Sequence, residues 1–239
     1  MEKFIIKGGN RLEGEIPVSG AKNAALPIIC ATLMADGESV LTDIPKLRDV
    51  YNLKDILNSI GAKVGLENNT MTIDPEKVNN SEPPYELVRK LRASYYILGA
   101  LIHRLGRVRC ALPGGCQIGN RPIDLHLKGF RALGAEVIMD HGVVEVQADK
   151  LKGAKIYLDY PSVGATINII LAAALAEGQT VIENAAREPE IVDLANYLNI
   201  AGAKIRGVGT DVIKVEVIEY LQNLDDLNDK MLDEQITLG

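Results

Sequence analysis

Apolar residues along this chain change their spacing in a repeated order. Stretches with helical recurrence, such as residues 21–35 and the run through Tyr95–Ile102, close at a glycine and give way to short β-like runs. Three such junctions occur, at Gly37-Glu-Ser-Val-Leu41, Gly106-Arg-Val-Arg-Cys110 and Gly178-Gln-Thr-Val-Ile182. After each comes a polar, proline-containing loop with an acidic residue and then a second helical pattern. A Gly-Ala turn into another strand closes the unit, at Gly61-Ala62-Lys63, Gly134-Ala135-Glu136 and Gly202-Ala203-Lys204. The two landmarks lie 24, 28 and 24 residues apart, and successive units start 69 and 72 residues apart. That regularity predicts a unit of strand, helix, strand, helix, strand, strand, repeated three times over about residues 20–217. The expected fold class is α+β, with three βαβαββ-like repeats around shared helices in one domain.

Local chemistry agrees with this division. Each glycine supplies the left-handed conformation that ends a helix before a strand. The second helices, for instance Asp49–Ile60 and Asp193–Ile200, are expected to begin at acids that suit a helix amino end. Val143–Val146, alternating with Glu145, predicts a half-buried antiparallel strand. Pro27 falls inside the first helix and predicts a kink or a later start. Asn79–Pro84 is the one plausible internal linker. The ends stand apart: residues 1–19 carry a strand-like run (Lys3–Lys7) and a hairpin signal at Gly8-Gly9-Asn10. Residues 218–239 are polar and acidic, with leucines at 221, 224 and 227.

Composition narrows the function classes. Hydrophobic residues make up 47% and charged residues 24%, the balance of a folded globular chain. A net charge of -6 without a long Lys/Arg block argues against nucleic acid as a partner. Tyr95–Ile102 and Ile169–Ala176 fall far short of the roughly 20 apolar residues that span a bilayer. Lys3, Lys7 and Asn10 interrupt anything resembling a signal sequence. Three cysteines without a CxxC and three scattered histidines (His103, His126, His141) predict no disulfide, no metal and a cytoplasmic protein. No cofactor is expected.

Two kinds of segment could carry chemistry. Ser19-Gly-Ala-Lys-Asn-Ala24 lies at the entry to the first helix, where small residues and Lys22 could receive an anion. Arg92-Ala-Ser94 and Ser162-Val-Gly-Ala-Thr166 hold the matching places in the second and third repeats. The plain alternative is that Ser19 and Ser162 are helix caps. Leu112-Pro-Gly-Gly-Cys-Gln-Ile-Gly-Asn-Arg-Pro122 predicts a loop that sets Cys116 near solvent, with Arg121 able to lower the thiol pKa and grip an anion. Asn120 and Arg121 stand where a P-loop needs Lys and Ser/Thr, so that reading fails. An incidental thiol at Cys116 remains the competing view. Cys30 and Cys110 sit in apolar runs and are expected to pack in the core. Asp124 and His126 could orient polar groups of a substrate.

Taken together, Ser19–Pro27, Leu91-Arg-Ala-Ser94, Pro113–His126, Ser162–Thr166 and Glu183–Asp193 closely resemble the enolpyruvyl transferase family, in the branch that acts on UDP-N-acetylglucosamine. The shikimate-pathway branch shares the repeats but lacks this cysteine loop. The resemblance implies an inside-out α/β barrel in two domains. It also implies transfer of enolpyruvyl from phosphoenolpyruvate to the sugar 3-hydroxyl, the first committed step of peptidoglycan synthesis. On this resemblance Lys22, Asn23, Cys116 and Arg121 would bind phosphoenolpyruvate, with Cys116 as the general acid toward the enol methylene. Asn23, Arg92, Arg121, Pro122, Ile123, Asp124, Leu125, Ser162, Val163 and Gly164 would bind the sugar nucleotide. Residues 1–19 would belong to a second domain, and residues 218–239 lose the family pattern. Tyr160 and Pro161 depart from the family near the nucleotide. Members are about twice this length, and their second domain brings a carboxylate base and another arginine that have no match here. The chain is therefore expected to be an incomplete, inactive half, for which a separately encoded second half could serve as partner. The alternative is a catalytically silent module that binds an anion or nucleotide sugar.

Overall fold

In the computed structural model, which describes residues 3–9, 11–112 and 123–216, the three sequence repeats become three versions of one motif. The first comprises α1 (Lys22–Ala31), β1 (Ser39–Leu41), α2 (Arg48–Ser59), β2 (Lys63–Glu67) and β3 (Thr70–Asp74). A short helix, α3 (Tyr85–Val88), leads into the second: α4 (Tyr96–Leu105), β4 (Arg107–Ala111), α5 (Asp124–Ala132), β5 (Glu136–Asp140) and β6 (Val143–Gln147). The third comprises β7 (Lys155–Tyr157), α6 (Val163–Ala173), β8 (Gln179–Glu183), α7 (Pro189–Ile200), β9 (Lys204–Arg206) and β10 (Val212–Glu216). In every motif the last strand sits in the middle of its sheet, giving the orders β1-β3-β2, β4-β6-β5 and β7-β8-β10-β9. Pairing is antiparallel throughout, except that β7 runs parallel to β8.

Burial divides the helices into two kinds. α1, α4 and α6 are enclosed almost all round: Ala24–Ala31, Ile97–Ile102 and Ala165–Ala173 are continuous buried runs. A helix that is apolar on every side belongs in an interior. α2 and α5 instead bury one stripe each, Val50, Leu53, Ile56 and Leu57 in the first, and Leu125, Leu127 and Phe130 in the second. The sheets cover this core with alternate residues, such as Met71 and Ile73 in β3, Val144 and Val146 in β6, and Ile213 and Val215 in β10. Three helices, α1, α4 and α6, therefore lie within, with the sheets and the half-buried helices around them, which is an α+β arrangement. The three sheets remain separate among the described residues, so the layering of an inside-out barrel is present without a closed ring of strands.

The glycines behave as the periodicity requires. Gly37, Gly61, Gly106, Gly134, Gly178 and Gly202 all have positive φ, between 68° and 107°. Other expectations need correction. The leading strand of the repeat forms only in the third motif, as β7. In the first, residues 11–20 hold no strand. In the second, the place is taken by α3, because Pro83 and Pro84 have no N–H to give a ladder. α7 starts at Pro189 and not Asp193, since proline is well suited to the first helical turn and Glu190 supplies the acid there. α2 starts at Arg48, one residue before Asp49. α1 starts early, at Lys22, runs through Pro27 and tightens into a 3₁₀ turn at Thr32–Met34. Asn79–Pro84 is docked and not a loose linker: the backbone N–H groups of Asn79 and Asn80 donate to Ile60, and Ser81 accepts from Arg109.

Lys3–Lys7 forms no strand, because no sheet edge among the described residues runs beside it to complete a ladder. Its apolar residues are bare, with Phe4 97%, Ile5 85% and Ile6 88% exposed. The hairpin signal at residue 10 and the segment 218–239 lie outside the described residues.

Two of the enclosed helices, α4 and α6, come backbone to backbone in the interior. A Cβ at Gly99 would lie 2.5 Å from the carbonyl oxygen of Asn168, 2.6 Å from its Oδ1 and 3.0 Å from Leu171 Cβ. Gly99→Ala is expected to lower stability by about 1–3 kcal/mol through overpacking, despite alanine's better helix propensity. Urea unfolding reads this directly, and an unchanged or raised midpoint would overturn the close-packing argument.

Candidate functional site

The amino ends of α1 and α6, and the 3₁₀ turn Arg92–Tyr95 that feeds α4, open on one cavity of about 410 Å³. Because these three segments hold the same place in their repeats, repetition itself brings them together. Helix amino ends carry backbone N–H groups without intrahelical acceptors and a positive dipole end, so the arrangement favours an anion. Lys22 and Asn23 come from α1, Arg92 and Tyr95 from the turn, Tyr96 from α4, and Val163 and Gly164 from α6. Asp49 of α2, His126 of α5 and Glu190 of α7 complete the polar wall.

The two serines separate here. Ser162 caps α6, its hydroxyl accepting from the Ala165 N–H at 3.4 Å. Ser19 caps nothing: the residue preceding α1 is Ala21, which offers no side-chain bond, and Ser19 is exposed. Gly20 lies against the carbonyl of Asp43, where a side chain would collide.

Charge in the cavity is mixed. Lys22 Nζ lies 2.9 Å from Asp49 Oδ2, and Asn23 Nδ2 reaches Glu190 Oε1 at 3.5 Å. Arg92 is exposed and has no ion-pair partner among the described residues. Burial holds the His126 ring down to a pKa of about 4, helped by the Arg92 charge and opposed by Asp124. Burial pushes the Tyr96 phenol up, with Cys30 and Glu190 adding to the effect and Arg92 opposing it. In an adjoining cavity lined also by Lys22, Asn23 and Glu190, burial and the neighbouring Glu190 raise the Asp193 carboxyl. An anion entering this cavity would meet two cations, one engaged with Asp49, and a neutral imidazole.

Of the residues singled out in the sequence, Lys22, Asn23, Arg92, Val163 and Gly164 line this one cavity, with Ser162 beside them. Ile123, Asp124 and Leu125 form the start of α5 and do not line it; Asp124 is exposed, and the Leu125 side chain is buried in the core. Cys116, Arg121 and Pro122 lie outside the described residues. Sequence reasoning does not mark Asp49 and Glu190 as site residues, although each is the acid in the first turn of the second helix of its repeat. Aligning the repeats marks both. Tyr95 and Tyr96, hidden within an apolar run, give no such signal.

Cys30 and Cys110 are core residues with raised thiol pKa values. For Cys110, burial pushes the value up to about 12, with a weak contact to the Ser94 carbonyl opposing. His103 bonds the Ala172 carbonyl at 2.6 Å, and His141 is an exposed residue of the β5–β6 turn. Among the described residues no group of three His, Cys, Asp or Glu side chains could hold a metal, and no helix is long and apolar enough to cross a membrane.

The family model of EPSP synthase (3-phosphoshikimate 1-carboxyvinyltransferase) matches residues 6–225. The chain belongs to the EPSP synthase family. It is 68% identical over 225 residues to the UDP-N-acetylglucosamine 1-carboxyvinyltransferase of Halothermothrix orenii, an alignment covering 94% of this chain and 54% of the relative. It is 53% identical over all 239 residues to UDP-N-acetylglucosamine 1-carboxyvinyltransferase 2 of Carboxydothermus hydrogenoformans, of which it covers 56%. That second alignment takes in residues 218–239. The chain thus spans about half the length of these relatives. Among solved structures, the enolpyruvyl transferase NikO from Streptomyces tendae matches with a TM-score of 0.78 at 24% identity, over 90% of this chain and 51% of that one. EPSP synthase from Acinetobacter baumannii matches at 0.69 and 20% identity, over 88% and 48%. These likenesses carry the fold of the family.

Proposed function

We propose that this chain is the cysteine-bearing half of a cytoplasmic transferase that moves enolpyruvyl from phosphoenolpyruvate to the 3-hydroxyl of UDP-N-acetylglucosamine, releasing phosphate, at the first committed step of peptidoglycan synthesis. The observation that carries this reading is the 68% identity to a relative of that name over nearly the whole chain. The convergence of Lys22, Asn23, Arg92, Val163 and Gly164 on one cavity supports it. Two anionic substrates need cationic clamps, which Lys22 and Arg92 supply here and Arg121 would join.

The chemistry assigns a role to each group. The sugar oxygen bonds to C2 of phosphoenolpyruvate while Cys116 gives a proton to the C3 methylene. Loss of phosphate and of a methyl proton then restores the double bond. A proton donor working near neutral pH accelerates such a step by roughly 100- to 10,000-fold. The base that takes the sugar hydroxyl proton is assigned to the second half, together with a further arginine. Residues 1–19 are assigned to that half, with Lys3–Lys7, whose Phe4, Ile5 and Ile6 side chains are bare, as a strand that pairs with it, and residues 20–217 as the domain that carries the cysteine loop. By itself the chain is a binding half-site for the nucleotide sugar.

A thiol experiment tests the assignment of Cys116. In the native chain, limited alkylation followed by peptide mapping is expected to label Cys116 while Cys30 and Cys110, both fully buried, stay unmodified until unfolding. Equal labelling of all three would remove the case for an activated thiol.

A further inference from the structure

Asn168 is the polar residue at the centre of the buried α6 run, and its side chain is fully buried. Its amide is held from two sides by backbone of the second repeat. Oδ1 accepts from the Gly99 N–H at 2.9 Å, and Nδ2 donates to the Tyr95 carbonyl at 2.9 Å. Rotating the amide by a half-turn would set NH₂ against N–H and oxygen against oxygen, so its orientation is fixed. Gly99 makes the approach possible, since a side chain there would fall on the amide oxygen. The remaining hydrogen of Nδ2 points to His126 Nδ1, 3.0 Å away. A nitrogen that receives a hydrogen bond carries a lone pair, so His126 must bear its proton on Nε2. The ring lines the site cavity, and its Nε2 edge faces Gly164, where a Cβ would come within 3.2 Å of it.

We infer that Asn168 is a positioning residue, which fixes His126 as a neutral Nε2–H donor presented to the ligand in the cavity. The inference deepens the functional reading above and rests on it for the ligand: Nε2–H offers a donor to an oxygen of an anionic substrate, beside Lys22 and Arg92. A neutral donor suits a site that already holds two cations, because it adds direction without adding charge to be buried. The surroundings agree. Arg92 from the turn opposes protonation of the ring, and Asp124 on α5 favours it; Lys22, Asp49 and Glu190 line the same cavity, and the Tyr95 ring lies with its centroid 6.0 Å from that of His126.

Nitrogen-15 NMR of the full 239-residue chain, labelled at its three histidines, reads the tautomer without any ligand. His103→Gln and His141→Gln assign the signals. His126 is expected to show an unprotonated, hydrogen-bonded Nδ1 and a protonated Nε2 at neutral pH. Asn168→Asp replaces the donor by an acceptor, so it is expected to move the proton to Nδ1 and raise the titration midpoint by about one unit or more. Finding the wild-type ring protonated on Nδ1, or averaged between tautomers, would overturn the proposal. A folded Asn168→Asp chain with an unchanged His126 spectrum would overturn the role of Asn168. Binding of UDP-N-acetylglucosamine, followed separately by titration, bears on the functional reading alone.

Discussion

A phosphate-release assay supplied with phosphoenolpyruvate and UDP-N-acetylglucosamine is expected to show no turnover by the 239-residue chain alone. The cavity at the amino ends of α1 and α6 is lined by two cations, Lys22 and Arg92, and by His126. Among the residues assigned to it, Asp49 is engaged with Lys22, and Glu190 is turned toward Asn23. Neither is placed as a base for a sugar hydroxyl. Missing acid–base help accounts for roughly 100- to 10,000-fold. Substrates held from one side only also lose the orientation that makes attack effectively intramolecular, which is worth several further powers of ten, about 10⁵ M or more in effective molarity. Closure against a second half would restore both and exclude water. Mixing with the remaining half of the Halothermothrix orenii relative is therefore expected to restore turnover, and Cys116→Ala in this chain to abolish the rescue. Robust turnover by the lone chain would overturn the half-site assignment.

The parts of this protein that are legible in its sequence are those fixed by local rules. A helix that must turn into a strand needs a residue with positive φ, so Gly37, Gly106 and Gly178, with Gly61, Gly134 and Gly202, mark the repeats by their spacing alone. The β3, β6 and β10 strands follow from alternation, since one face meets the core. What is not legible depends on neighbours far along the chain. Among the described residues the leading strand of the unit forms only as β7, paired parallel with β8, while Pro83 and Pro84 stand in its place in the second repeat. The start of α7 shows a conflict between two local rules: an acid at Asp193 suggests a later start, and a proline suited to the first turn prevails at Pro189. Lys22, Asn23, Arg92, Val163 and Gly164 carry recognisable motifs and do meet in one cavity. Asn168 looks like an anomaly in an apolar helix until its partners, 69, 73 and 42 residues away, are seen. A buried amide has no sequence signature beyond being out of place.

Acid is expected to weaken the fold in a window set largely by His126. The ring has an ordinary pKa of 6.5 and is held down to about 4 in the folded chain, first by burial and then by Arg92. Between those values the unfolded chain binds a proton that the folded chain refuses. Stability from this group is thus complete above pH 6.5, declines as pH falls, and is lost below about 4. A depression of that size corresponds to at most about 3 kcal/mol, less to the extent that water reaches the ring. His103, also held below its ordinary value by burial although its bond to the Ala172 carbonyl opposes, acts with the same sign. Glu145, lowered by its hydrogen bonds and charge pairing with Arg107, adds an acid loss at lower pH. Asp193, raised by burial and Glu190, acts in the opposite direction. The His126 share is isolated by comparison with His126→Gln, whose amide cannot titrate and can still accept from Asn168. Urea midpoints measured from pH 7 to pH 4 should fall more steeply for the wild type than for this variant, with the two curves separating below pH 6.5. Parallel curves across that range would show that the ring charges freely in the folded chain, against both the buried site and the fixed tautomer.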